Sequence, residues 1–387
     1  MEVYLDHAAT TPIHPEVLVA MQPYFTEQFG NASSLHKWGR EARKAVDLAR
    51  EQIADKLNIM CREVIFTSGG TEANNWAIKG VAFTREASGL KGHIITQKTE
   101  HDCVLNACKW LESRGFAVTY LDVDEFGMVN PEDLKSAIRP ETFLVTIMHA
   151  NNEIGTVQPL KEIGQVIKTA NPAILFHTDA CQSFTKEPLN LKDLNLDLIT
   201  INSHKIYGPK GVGALVVKQG TKLVPLLHGG GHEFGHRSGT INVHGIMGFG
   251  KAVSLASPEK NRHMQTLRDH LIKRVLAEIP GALLNGHPTQ RLVNNTNFSF
   301  PGVEGEALLL RLDAHGIAAS TGSACSSNTL EASHTMMAIG RKPELAHASI
   351  RMSLGWENTL EQMDYVVEVL KDEVKQLRSM SATWRRE

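Results

Sequence analysis

Leu198-Ile199-Thr200-Ile201-Asn202-Ser203-His204-Lys205 is an apolar run that stops in a polar turn ending on a lysine, and Gly208-Pro209-Lys210-Gly211-Val212-Gly213 follows directly. A short apolar run bounded by turn signals reads as a buried strand, and the ends of such strands line the ligand crevice of α/β proteins. A second run of this kind, Ile174-Leu175-Phe176-His177-Thr178-Asp179, also stops on a charged residue. The two charges fit an ion pair closing a sheet edge as well as they fit chemistry in a cleft. The sequence on either side bears on the choice.

Upstream, Val64-Ile65-Phe66-Thr67 reads as a strand, and Ser68-Gly69-Gly70-Thr71-Glu72 opens a helix behind it. Free N–H groups and the helix dipole at such a point can hold a phosphate, although an ordinary strand-to-helix turn with Thr71 as N-cap reads the same way. His93–Thr96, Val118–Leu121 and Thr142–Met148 are further strands. Between them lie helices from Thr99-Glu100-His101-Asp102 to about Arg114 and from Pro131 to Ile138, with another over Leu160–Lys168. This alternation predicts a mostly parallel sheet covered by helices. Before it come the small-residue turn Asp6-His7-Ala8-Ala9-Thr10-Thr11-Pro12, a helix over Pro15–Tyr24, and a loop, Phe29–Ser34, that contains Asn31.

Downstream, His228, His232 and His236 have the i, i+4, i+8 spacing of ligands on a helix, but four glycines interrupt the segment, so no metal site is expected. Residues 243 to 278 read as one long helix. The remainder changes character: short strands at Asn295–Phe300 and Gly316–Ser320 alternate with a helix at Glu304–Ala314, an α+β pattern. Cys325 lies in a run of small polar residues, Ser320 to Ser327, unsuited to a core and therefore read as exposed. Arg351 sits on a strand, and Thr359-Leu360-Glu361-Gln362 is a capping box that starts the last helix.

With 387 residues, the chain exceeds what one core usually organises. A hydrophobic fraction of 42% and a net charge of −2 describe a globular protein with no electrostatic case for nucleic acid or a membrane surface. The first residues lack a signal-peptide pattern and no apolar run approaches a membrane span, so the expected location is the cytoplasm. The five cysteines, an odd number without CxxC spacing, argue against a disulfide framework or structural zinc.

A cleft lysine, a strand-end acid, a phosphate turn and an arginine for a carboxylate are together what pyridoxal 5'-phosphate chemistry requires. The order of motifs makes this specific. Tyr4–Pro12, Thr67–Glu72, Thr99-Glu100-His101, Asn151–Gly155, His177–Ser183, His204–Gly211 and Ile350–Gly355 together resemble the NifS/IscS-type cysteine desulfurases, of the class V aminotransferase-like family, over essentially the whole chain.

The resemblance implies fold type I, with a large cofactor-binding domain over 15–260. Residues 1–14 and 261–387 would form a smaller α+β domain carrying a mobile cysteine loop at about 320–332. It also implies that Lys205 anchors the cofactor, that Asp179 pairs with the pyridine nitrogen, and that His101 stacks on the ring and helps activate a thiol. Gln182 and Asn152 would reach the ring oxygen. Gly70, Thr71 and His204, with Asn202 or Ser203, would bind the phosphate, joined by Thr240 of a second subunit in a homodimer. Arg351, Asn31 and Asn152 would hold the carboxylate of L-cysteine. Cys325 would take its sulfur as a persulfide and pass it to an acceptor protein for iron–sulfur cluster or thio-cofactor and tRNA biosynthesis. Two departures from the family pattern are expected to affect partner docking: Phe234 stands where an arginine is usual, and few residues follow Trp384.

Overall fold

Runs of β-branched and aromatic residues separated by amphipathic helices build the expected α/β architecture in the computed structural model, which describes residues 1–321, 332–381 and 384. The chain opens with β1 (Val3–Tyr4), α1 (Pro15–Met21), α2 (Pro23–Thr26) and α3 (Lys37–Leu57). Then come β2 (Val64–Thr67), α4 (Gly70–Glu86), β3 (His93–Gln97), α5 (Asp102–Ser113), β4 (Ala117–Leu121), α6 (Pro131–Ala137), β5 (Thr142–Thr146) and α7 (Leu160–Ala170). Three strands follow in succession, β6 (Leu175–Asp179), β7 (Leu198–Asn202) and β8 (Gly213–Val217), before α8 (Val243–Leu255) and α9 (Pro258–Glu278). The last part holds β9 (Leu283–Leu284), β10 (Asn295–Ser299), α10 (Gly305–Ala314), β11 (Ile317–Ala318), α11 (His334–Ala338), α12 (Pro343–His347), β12 (Ser349–Ser353) and α13 (Leu360–Met380).

Seven strands form the main sheet in the order β2-β8-β7-β6-β5-β3-β4. All neighbours are parallel except β8, which runs antiparallel to both β2 and β7. Its central strands are buried on both faces, as a sheet covered by helices on each side requires. Alternation along β7 divides the two cores. Ile199 and Ile201 pack with Ala45, Ala49 and Phe249 on one face, while Leu198 packs with Trp76, Val104 and Leu144 on the other.

The expected long helix over 243–278 is two helices. Ser257, extended at φ −138° and ψ 156°, caps α9 by accepting the Lys260 N–H, and Pro258 occupies the first helical turn. A residue before proline is pushed out of the helical region, so the pattern breaks there. The capping box of α13 is present: Gln362 N donates to Thr359 Oγ1 at 3.2 Å and Thr359 N to Gln362 Oε1 at 3.1 Å. A second core joins Val3 and Leu5 at the chain start to Leu267, Phe298, Ile350 and Leu370, around a three-stranded sheet, β12-β10-β9. Pairing of β1 with β11 brings the first residues to this region.

Burial holds His7, His149 and His177 well below an ordinary imidazole, at about 4. The unfolded chain therefore binds more protons than the native one between about pH 4 and 6.5. The stabilisation from burying neutral rings is complete above that window and is lost as pH falls through it. The urea midpoint is expected to drop between roughly pH 7 and roughly pH 5, and an unchanged midpoint would contradict this reading.

Candidate active site

Parallel register brings the two charged strand ends together. β6 pairs with β7 so that Asp179 lies opposite Thr200, and Asn202-Ser203-His204-Lys205 runs on past the carboxyl end of β7. At the same edge β5 leads into His149–Glu153, where the His149 N–H donates to the Asp179 carbonyl at 2.9 Å. Further along, β3 leads into His101. Residues following four spatially consecutive strands, β7, β6, β5 and β3, thus line one crevice, the position at which open α/β sheets bind ligands.

The phosphate turn reaches this edge through β8. Gly213 pairs with Thr67 on one side and Asn202 on the other, which levels the end of β2 with the end of β7. A Cβ at Gly213 would stand 2.9 Å from the backbone of Gly69, so glycine is needed for the turn to come this close. The N-cap of α4 is Gly69, not Thr71, and no side chain caps the helix. Its first N–H groups are open to an anion.

Asp179 is buried, which demands donors for its oxygens. Asn74 Nδ2 donates to Oδ2 at 2.6 Å and the Cys181 N–H to Oδ1 at 2.8 Å. His101 is the N-cap of α5, its Nδ1 accepting the Cys103 N–H at 3.2 Å, and burial lowers its pKa. Burial, and then Lys205, pushes His204 down to about 4, leaving a neutral ring whose Nδ1 is 3.2 Å from Thr10 Oγ1. Gln182 Nε2 donates to the Ala8 carbonyl at 2.9 Å, and Lys186 Nζ donates to the carbonyls of Gln182 and Lys205 at 3.0 and 3.4 Å.

Arg351, on β12, is buried and paired with Asp6 at 2.8 Å. Its Nη1 donates to the Asn152 carbonyl at 2.9 Å, and its Nε has no partner. Asn31 and Thr240 are exposed, Asn31 accepting the Ser33 N–H at 2.9 Å. Among the described residues no hydrogen bond joins either of them to the Asp179 cluster. Cys325 lies outside the described residues. The sequence reading did not single out Asn74, Cys103, Lys186 or Asp6 as site residues. Asn74 was within reach of it, standing one helical turn after Gly70 and so on the same face of α4.

The turn is braced from behind by the loop in which Phe234 stands. Glu233 forms a buried, bidentate pair with Arg50 at 2.8 and 2.9 Å and accepts the Phe66 N–H at 2.8 Å. Phe66 and Phe234 flank the Arg50 guanidinium at 4.7 and 4.9 Å. Arg237 pairs with Glu72 at 2.9 Å, and Glu72 accepts the Ser68 N–H at 2.8 Å.

These residues fit pyridoxal phosphate. Asn202 Nδ2, a donor, lies 3.7 Å from where a Cβ on Gly70 would stand, beside an uncapped helix start, and a carboxylate ends one strand while a lysine follows the adjoining one. Fold and site define a pyridoxal-phosphate enzyme of fold type I. The family model for aminotransferase class V matches residues 3–366, and the chain belongs to that family, which is pyridoxal-phosphate-dependent.

A relative from Methanosarcina thermophila, named cysteine desulfurase IscS, is 53% identical over 382 residues, 98% of this chain and 93% of its own. A solved NifS-like protein superposes with a TM-score of 0.91 at 37% identity, covering 97% of this chain and 100% of that one. The structure described as SspA in complex with cysteine has a TM-score of 0.83 at 40% identity, covering 92% of this chain and 100% of its own.

A Cβ at Gly70 would lie 2.6 Å from Cys181 Sγ. Gly70→Ala is therefore expected to displace the turn and weaken cofactor binding by about tenfold or more, the usual cost of overpacking. Adding Cys181→Ala, which removes that contact, should restore much of the affinity. Fluorescence titration of the apoprotein measures both, and full affinity in Gly70→Ala would contradict the assignment of this turn to the phosphate.

Proposed function

We propose that the protein is a cysteine desulfurase: L-cysteine and an enzyme thiol become L-alanine and an enzyme persulfide on Cys325. Arg351 carries the reading. It is a buried guanidinium with an unpartnered Nε, and its strand is bridged to Ser320, with Ser320 N donating to the Arg351 carbonyl at 3.1 Å. The segment containing Cys325 therefore starts at a residue bound to the expected carboxylate grip.

When bound, pyridoxal phosphate supplies an electron sink for the bonds at the substrate Cα. Gly70, Thr71, His204 and either Asn202 or Ser203 would hold its phosphate, and Asp179 would pair with its pyridine nitrogen. His101 would stack on the ring, and Gln182 and Asn152 would serve the ring oxygen. Lys205 Nζ would be the anchor and would move the Cα proton. A substrate carboxylate can occupy the free Nε edge of Arg351 or displace Asp6, with Asn31 and Asn152 beside it; planar bidentate pairing suits this group. Cys325, as thiolate, attacks the substrate sulfur. The new S–S bond forms as the C–S bond breaks, and the electron pair of that bond takes up a proton in alanine.

The active unit in this reading is a homodimer in which Thr240 of each chain completes the phosphate site of the other. The large unit spans 15–260 and the small one 1–14 and 261–387. No helix among the described residues is long and apolar enough to cross a membrane, and the reading places the enzyme in the cytoplasm, handing sulfur to acceptor proteins for iron–sulfur clusters or thio-cofactors and tRNA.

Anaerobic incubation of the holoenzyme with L-cysteine, followed by intact mass and alanine assay, tests this. One added sulfur that disappears in Cys325→Ala, with alanine formed, is expected. A keto acid formed without alanine or added sulfur would instead indicate an aminotransferase.

A further inference from the structure

The mechanism leaves the Cys103 thiol of the site unused. Cys103, in the first turn of α5, places Sγ 3.1 Å from His101 Nδ1 and 3.2 Å from Asn74 Nδ2. The same amide nitrogen donates to Asp179 Oδ2 at 2.6 Å. A carboxylate only accepts, so Asn74 must turn its nitrogen toward Asp179, and its second hydrogen falls to the Cys103 sulfur. Asn74 Oδ1 is left buried with no partner, which shows that the amide is oriented by its nitrogen alone.

The direction of the remaining bonds follows. Burial pushes the Cys103 thiol up to about 12, so it keeps its hydrogen near neutral pH and is not a nucleophile. With its lone pair engaged by Asn74, the S–H points to His101 Nδ1. The Cys103 backbone N–H is directed at that nitrogen as well, at 3.2 Å. A hydrogen on Nδ1 would meet this N–H head-on, so Nδ1 is an acceptor and the proton of the neutral ring sits on Nε2. Burial favours the neutral ring, and Lys205 and His334 act in the same direction against Asp179 and Asp102. The position of the ring at a helix N-terminus adds to this.

We propose that Cys103 is a positioning residue which, together with Asn74, fixes His101 as a neutral imidazole protonated at Nε2. His101 then offers an N–H to an oxygen or sulfur gaining negative charge in the reaction, and does not take a thiol proton at Nε2. This deepens the reading in which His101 faces the cofactor. It replaces the expectation that His101 activates a thiol as a base.

The test is side-chain nitrogen NMR of the holoenzyme labelled with ¹⁵N-histidine, with the His101 signals assigned by their loss in His101→Gln. Wild type and Cys103→Ser, which keeps a donor at this position, should both show a protonated Nε2 and a bare Nδ1. Cys103→Ala removes a donor to the neutral ring, so its His101 should titrate about one pH unit higher. A protonated Nδ1 in the wild type would overturn the proposal, as would identical titrations in the Ala and Ser variants. The tautomer is read without turnover, so failure of the desulfurase reading would appear separately, as absence of alanine.

Discussion

A carboxylate buried at the end of a central strand is costly unless its oxygens are supplied with donors, and Asp179 meets that condition through Asn74 and the Cys181 N–H. Much of the site follows from this requirement. Asn74 can reach Asp179 only if α4 starts directly behind β2, and that start leaves the uncapped N–H groups of the phosphate turn at the same sheet edge. The Cys181 N–H is available only because the chain turns immediately after β6. The pairing of β6 with β7 then brings the strand end that leads to Lys205 alongside the one that carries this acid. One requirement, satisfying a buried charge, thus arranges both the pyridine end and the phosphate end of the crevice.

The back of the crevice is held by charge as well. Arg50 and Glu233 are both buried, and such a pair repays its desolvation only with good geometry and further hydrogen bonds. Here the geometry is bidentate, the Phe66 N–H and the Val64 carbonyl take up further capacity, and two aromatic rings enclose the guanidinium. Glu233 and Phe234 adopt φ values of 48° and 57°, in the left-handed region that side chains avoid. The ion pair and the ring contact hold them there. Phe234 becomes intelligible as a cover for Arg50.

Much of this was legible in the sequence, because strand ends, glycine turns and helix starts leave local marks. Lys205 and Asp179 stood at the ends of apolar runs, and Gly70 stood between a strand and a helix. The antiparallel direction of β8 was less visible because pairing is a long-range property, whereas the break at Ser257-Pro258 does carry a local mark, a capping serine before a proline with no apolar residue from Ser257 to His263, which the reading of one long helix passes over. The tie from Arg351 to Asp6 joins residues far apart in the chain, which no local pattern reveals. Asn74 and Cys103 escaped notice for a related reason: each is an ordinary helix residue until the fold sets it beside Asp179.

The central claim, that Lys205 is the lysine serving this crevice, is tested most directly by reducing the cofactor-loaded protein with borohydride and mapping the modified peptide by mass. Lys186 is the informative competitor, since its Nζ donates to the Lys205 carbonyl from the same neighbourhood. Cofactor mass on Lys205 alone is the predicted result. Modification of Lys186, or of no lysine at all, would contradict the account.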